Sequence, residues 1–402
     1  MRNPDQIVVV GASLAGQRAA RALRDAGYSG RLTMVGDERH SPYNRPPLSK
    51  AVLRGEAGLA ELTLERDLQG LDADWILGEA ATRLDAADGT ISLENGASIR
   101  FDAALIATGV SARKLDMPGA ELAGIHYLRT FDDAERLREA LKTTTSLLVI
   151  GAGFIGCEVA ASAVQMGLSV TVVDPAARPM ERVLGSEIGL AAQTLHEQHG
   201  VRFLMGRAVV SFEGTEVVTS ALLTTGERIY ADAVVVGIGS VPNTKWLAGS
   251  GIECANGVLC DETCLVPGTQ GRIAAAGDVA NWPHAAYGGR RMRIEHWSNA
   301  AEQGEAAALA LLDPAGAQPF APTLSMWSDQ YGKKIQAIGA PWIGDHIRIE
   351  EGSLNTHKFT AEGYLGQQFV GAVLFDMPSR GAKYRNRLED SINTWDSSEL
   401  KA

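Results

Sequence analysis

An unbroken apolar run, Ile7-Val8-Val9-Val10, stands near the start of the chain, and Leu147-Leu148-Val149-Ile150 repeats the pattern far downstream. Short runs of this kind fit strands buried on both faces, as in a parallel sheet covered by helices. Each run stops at a glycine-rich turn, Gly11-Ala12-Ser13-Leu14-Ala15-Gly16 in the first case and Gly151-Ala152-Gly153-Phe154-Ile155-Gly156 in the second. An alanine-rich stretch of helical character follows each turn. A second apolar strand comes next, Leu32-Thr33-Met34-Val35 or Val170-Thr171-Val172-Val173, and leads to an acid, Asp37 or Asp174. Two later segments also match one another, Phe101 to Gly109 and Ala231 to Gly239. Each carries Asp-Ala before a buried-strand pattern and ends at a glycine turn. An internal duplication accounts for both sets of matches.

The order strand, glycine turn, helix, strand, acid is what a dinucleotide site needs. Glycines let the backbone approach a pyrophosphate, the helix N-terminus offers amide groups and positive dipole, and the acid bonds a ribose hydroxyl. Ser13 departs from the pattern at the middle glycine position, but it is small and its hydroxyl can donate to a phosphate. Two such units imply two dinucleotides held close together, an arrangement suited to electron transfer. The fold class expected is α/β, with two Rossmann-like dinucleotide-binding domains and a small α+β C-terminal domain.

A third element, Arg272-Ile273-Ala274-Ala275-Ala276-Gly277-Asp278-Val279-Ala280, reads as a small-residue strand delivering Gly277-Asp278 to the start of a helix. From Phe320 onward the pattern becomes aromatic and alternating. Lys334 to Gly339 and Gln367 to Phe375 predict antiparallel strands, followed by a helix from about Ser379 to Leu388. The domain boundaries expected are 1–112 with 243–318 for the first unit, 113–242 for the second and 319–402 for the third.

With 402 residues, 45% of them hydrophobic, and 44 glycines, the chain suits two or three tightly turned α/β domains and not a disordered segment. No apolar stretch reaches the ~18 residues of a membrane span, and Met1 to Gln6 leads straight into a strand, so a cytoplasmic protein is expected. The formal net charge of −11 disfavours nucleic acid and membrane surfaces as partners, while leaving room for a local basic patch. Cys157, Cys254, Cys260 and Cys264 form no Cys-x-x-Cys pair and have no histidine cluster beside them; they read as structural thiols, and no metal site is expected.

Beyond the general motifs stand three particular segments: Pro42-Tyr43-Asn44-Arg45-Pro46-Pro47-Leu48-Ser49-Lys50, Glu295-His296-Trp297-Ser298-Asn299-Ala300 and Trp327-Ser328-Asp329-Gln330-Tyr331. With them the chain resembles, over nearly its whole length, the FAD-dependent, nicotinamide-linked ferredoxin reductases. That group includes putidaredoxin reductase, rhodocoxin reductase and the reductase components of biphenyl-type dioxygenases. The resemblance implies the two-dinucleotide, glutathione-reductase-like architecture, an FAD, NADH as donor and a two-iron ferredoxin as partner.

Site residues follow residue by residue. For FAD they are Gly11, Ser13, Leu14, Ala15, Gly16, Asp37, Arg45, Lys50, Ala81, Thr108, Gly109, Arg129, Gly277, Asp278 and Trp297. For NAD they are Gly151, Gly153, Phe154, Ile155, Gly156, Glu158, Asp174, Arg182 and Gly239. In the family a lysine placed as Lys50 lies beside the flavin ring and pairs with a glutamate placed as Glu158. An aspartate placed as Asp278 bonds the ribityl chain, and an aromatic placed as Trp297 sits at the flavin edge. Lys50, Glu158 and Trp297 are the catalytic set so implied. Read without the family, Lys50 is equally a solvated loop lysine, Glu158 a helix-start acid favoured by the dipole, and Trp297 core filling.

A carboxylate at Asp174 accepts ribose hydroxyls and repels a 2′-phosphate, which favours NADH over NADPH; Arg178 and Arg182 nearby could accept a phosphate. Family members with a similar acid-plus-arginine run use NADH. Arg290, Arg291, Arg293, Lys333 and Lys334 form a candidate basic face for an acidic ferredoxin, with a solvated charge run as the alternative. A monomer or weak dimer is expected. The mechanism implied is hydride transfer from NADH to the flavin and one-electron transfer to ferredoxin, which would supply a haem-thiolate or Rieske oxygenase. The rivals are an NADH oxidase or disulfide reductase, which needs a flavin-facing cysteine absent from Pro46 to Val52, and a binding flavoprotein of apoptosis-inducing-factor type.

Overall fold

Two five-stranded parallel sheets carry the duplicated pattern. In the computed structural model, residues 4–64 and 68–392 are described, so residues 1–3 of the expected lead-in and 393–402 of the expected third domain lie outside them. In the first sheet Gln6–Val10 is central, flanked by Arg31–Gly36 and Ala103–Ile106, with Asp74–Leu77 and Ile273–Ala275 at the edges. In the second, Ser146–Ile150 is central, flanked by Ser169–Asp174 and Ala233–Val236, with Arg202–Met205 and Ile125–Tyr127 outermost. Each central strand is thus the one that runs into a glycine turn. Ile7, Val8, Val9, Leu148 and Val149 are fully buried, as runs covered on both faces must be.

The helices after the turns are Leu14–Asp25 and Phe154–Gln165. The first packs against Trp297–Leu312, and small residues allow the close approach. A Cβ at Gly304 would lie 2.3 Å from the Ala15 carbonyl oxygen. A short antiparallel ladder, Val110–Ala112 against Ser240–Pro242, forms where the chain crosses between the two parallel sheets.

The last sheet is antiparallel and five-stranded, in the order Ser325–Gln330, Lys333–Gly339, Gln368–Phe375, Lys358–Leu365 and His346–Ser353. A helix, Gly381–Ile392, covers it by burying Tyr384 and Leu388. This helix starts later than expected because Pro378–Arg380 forms a separate 3-10 turn.

One expectation fails locally. Gly277-Asp278 does not open a helix: Gly277–Val279 is a single 3-10 turn, followed by the strand Ala280–His284. That strand pairs with Val258–Leu259 and Arg290–Met292, and this pairing takes up the backbone that a helix would need.

Candidate active site

The two glycine turns obey the same steric rule. A Cβ on Gly11 would meet the Ala107 carbonyl oxygen at 2.0 Å, and one on Gly151 would meet that of Gly237 at 2.2 Å. Gly16 and Gly156 are each blocked at 2.0 Å by the carbonyl oxygen of the turn's first glycine. The middle position is different, since a Cβ on Gly153 meets nothing within 4 Å. That space lies at the N-terminus of Phe154–Gln165, whose first turn holds no acid, and the apolar Ile155 beside it is 45% exposed. Ser13 occupies the same place in the first unit, caps no backbone group, and likewise precedes a first turn without acid. Both cradles fit a pyrophosphate, and the serine is compatible with the first. Leu14, Ala15 and Phe154 form the helix starts behind these openings.

At the second turn, Asp174 accepts the N–H groups of Ala152 and Ala176, each at 2.7 Å, so its carboxylate is held beside the cradle. Arg182 is exposed and has no ion-pair partner among the described residues. Gly239 takes φ +100° with open space around it. In the first unit Asp37 is exposed and unpaired among the described residues, whereas the neighbouring Glu38 pairs with Arg45 and Tyr43 at 2.5 Å. Backbone bonds from Gly78 to Glu38 and from Glu79 to Gly36 bring the strand that starts at Ala81 to this end of the sheet.

Arg45, Arg129 and Asp278 do come together. Arg45 donates to the Arg129 carbonyl at 2.9 Å, and Arg129 donates to Asp278 at 2.8 Å. Gly277, at φ +75°, lies so close to the first turn that its Cβ would be 3.0 Å from that of Ala15. Thr108 exchanges two hydrogen bonds with Asn243, and Arg129 Nη2 lies 3.5 Å from where a Gly109 Cβ would be. These groups therefore share one end of the first sheet, next to the Gly11 cradle.

The sharpest feature joins the units. Lys50 lies on a π-helical turn, Leu48–Val52, and donates to Glu158 Oε2 at 2.6 Å. Ser49 Oγ donates to the same oxygen at 2.6 Å, and Ser328 Oγ donates to Oε1 at 2.6 Å. Lys50 also donates to the Pro46 carbonyl at 2.8 Å, so the ammonium is fixed from two sides. The pair is largely out of solvent, at 17% exposure for the lysine side chain and 8% for the glutamate. The solvated-lysine reading does not hold. Trp297, the first residue of its helix, donates through Nε1 to Asn44 Oδ1 at 2.9 Å and meets the Trp327 ring edge-on at 6.3 Å. Its indole is thereby tied to the loop that carries Lys50. Sequence reasoning missed Glu38, Ser49 and Ser328; for the last a signal existed, because Ser328 and Gln330 put polar groups on the buried face of an alternating strand.

The five cations of the expected docking face are not equally available. Arg291 donates to the carbonyls of Cys260 and Asn281, and Arg293 pairs with Glu295 at 2.6 Å. Lys333 pairs with Asp376 at 2.9 Å, Lys334 lies 3.9 Å from Asp329, and Arg290 is exposed. All four cysteines are free. Burial pushes the Cys157 thiol well above its usual range and that of Cys260 up to about 12, so neither is a ready nucleophile.

The family model described as pyridine nucleotide-disulphide oxidoreductase matches residues 5–304. The chain belongs to that family. Rhodocoxin reductase of Rhodococcus erythropolis is 38% identical over 376 residues, which is 92% of this chain and 86% of that protein. The biphenyl dioxygenase system ferredoxin–NAD(+) reductase component of Paraburkholderia xenovorans is 39% identical, covering 83% of this chain and 81% of its own. Among solved structures, a chain of the covalent putidaredoxin reductase–putidaredoxin complex matches with a TM-score of 0.89 at 32% identity, covering 96% of this chain and 93% of that one. This family member is an oxidoreductase that uses a flavin and NAD(H).

Proposed function

We propose that this chain is an FAD-dependent reductase that takes a hydride from NADH and passes electrons one at a time to a two-iron ferredoxin serving an oxygenase. The observation that carries the reading is the Lys50–Glu158 pair, which ties the loop after the first unit's second strand to the helix of the second cradle. In this reading the Gly11 cradle, Ser13, Arg45, Arg129 and Asp278 hold FAD, and the Gly151 cradle with Asp174 holds NADH. A flavin, when bound, supplies the conversion of a two-electron hydride into single electrons. The chain contributes placement. Lys50 presents a fixed positive charge, Asp174 accepts ribose hydroxyls and repels a 2′-phosphate, and Trp297 closes the edge of the site.

The similarity to reductases named for ferredoxins and for rhodocoxin supports a ferredoxin as partner. Arg290 is the cation best placed to steer it, because Arg291 is engaged by two backbone carbonyls and Arg293, Lys333 and Lys334 are already paired with acids. Anaerobic titration of the purified yellow protein tests the cofactor part of the proposal. Bleaching of a bound FAD by NADH at much lower concentration than by NADPH is expected, and equal response to both would contradict it.

A further inference from the structure

A buried line of hydrogen bonds runs from Glu158 into the antiparallel sheet and back to the second unit. Ser328 Oγ bonds Glu158 Oε1 at 2.6 Å, and Gln330 Nε2 bonds Ser328 Oγ at 3.0 Å. His196 Nε2 then faces Gln330 Oε1 at 2.8 Å, and the Tyr331 hydroxyl faces His196 Nδ1 at 3.0 Å. Ser328 and His196 are fully buried and Gln330 is 1% exposed.

Chemistry decides where the protons lie. An ionised carboxylate only accepts, so Ser328 donates to it. The serine oxygen then accepts from the Gln330 amide nitrogen, which turns the amide oxygen toward His196. That oxygen needs a donor, so His196 carries its proton on Nε2, and Nδ1 accepts from Tyr331. The arrangement requires a neutral imidazole, and burial lowers its pKa to about 4. Every donor in the line points toward Glu158. Tyr331, at the outer end, takes φ +53°, a conformation an aromatic residue adopts only when its surroundings hold it there. It is held by its hydrogen bond and by stacking on His199 at 3.8 Å and 13°.

We infer that Ser328, Gln330, His196 and Tyr331 are positioning residues that supply the outer donor to the Glu158 carboxylate and hold it aligned on Lys50. The inference rests on the reading of the Lys50–Glu158 pair as the group that faces the flavin. A merely architectural line would join the antiparallel sheet to the helix Ser186–Gln198 and leave the carboxylate's proton affinity alone.

The test is an acid titration of the FAD-loaded protein, followed by the infrared carboxylic-acid band that disappears in Glu158→Gln, together with the flavin midpoint potential across pH. Ser328→Ala removes one donor to a charged acceptor and is expected to raise the proton affinity of Glu158 roughly tenfold. His196→Leu should shift it the same way, and His196→Gln, which keeps an N–H near the Nε2 position, should restore it. In a Glu158→Gln background, Ser328→Ala should leave the potential profile unchanged. An unshifted carboxyl titration in folded Ser328→Ala and His196→Leu would overturn the inference, as would an effect of Ser328→Ala on potential that persists without Glu158. If Glu158→Gln itself leaves the flavin potential unmoved while the carboxyl titration still shifts, positioning stands and the flavin-facing reading of the pair fails.

Discussion

Lys50 and Glu158 are 108 positions apart in the chain, yet Lys50 Nζ lies 2.6 Å from Glu158 Oε2. The contact links the loop after the first unit's second strand to the helix of the second unit. A partly buried ion pair adds little stability against an apolar replacement of both members, but removing one partner strands the other charge. Lys50→Met is therefore expected to lower unfolding stability by about 3 kcal/mol, measured by urea denaturation of the holoprotein. The double variant Lys50→Met/Glu158→Gln should recover most of that loss. No difference between the single and double variants would show that the two charges do not depend on each other.

The glycine turns predict a contrast between two alanine substitutions. Gly11→Ala forces a methyl to within 2.0 Å of a backbone oxygen at φ +119°, so loss of FAD and of soluble folded protein is expected. Gly153→Ala meets open space, and it should fold, bind FAD and keep a KM for NADH near that of the parent protein, because Ser13, larger than alanine, occupies the same place in the first cradle. Circular dichroism, flavin content and NADH kinetics of the two variants check this. Failure of Gly153→Ala to fold, or folding of Gly11→Ala with FAD retained, would contradict this steric reading of the turns.

The cradles are legible in the sequence because their causes are local. Runs such as Ile7 to Val10 must be buried strands, and a turn that packs against a neighbouring carbonyl demands glycine at set positions. The continuation after Gly277-Asp278 is not local in this sense, since whether Ala280–His284 becomes helix or strand is decided by partners at Val258–Leu259 and Arg290–Met292. The surroundings of Glu158 are equally out of reach. Ser328 lies 170 positions away in the antiparallel sheet, and the alternation of its strand marks a buried polar group there without naming its partner. The proposed docking cations illustrate the same limit, because Lys333 and Arg293 look free in sequence and are paired in space.

Asp174 is expected to set the choice of nicotinamide cofactor. Asp174→Ser removes the carboxylate that repels a 2′-phosphate, leaving the exposed Arg182 nearby. The ratio of kcat/KM for NADH over NADPH should fall roughly tenfold or more, since a lost charged hydrogen bond is worth about 1.5–3 kcal/mol. A ratio unchanged by the substitution would remove Asp174 from the site.

Acid should weaken the fold through its buried imidazoles. Burial pushes the imidazoles of His196 and His284 from 6.5 down to about 4. The unfolded chain takes these protons near pH 6.5 and the folded protein only near pH 4, so the unfolded state binds more protons in that window. Stability therefore falls as pH drops through it, by a loss on the order of 3 kcal/mol for each imidazole. Calorimetric Tm values across the window should decline, and less steeply in His196→Gln. An equal slope in that variant would contradict the assignment to His196.

The most direct measurement is steady-state reduction of cytochrome c by the purified FAD-loaded protein, with NADH or NADPH, in the presence and absence of a two-iron ferredoxin from an oxygenase system. Rapid reduction with NADH that depends on the ferredoxin is expected, with much slower reduction by NADPH. Flavin bleaching by NADH with no onward transfer to the ferredoxin would contradict the proposed function.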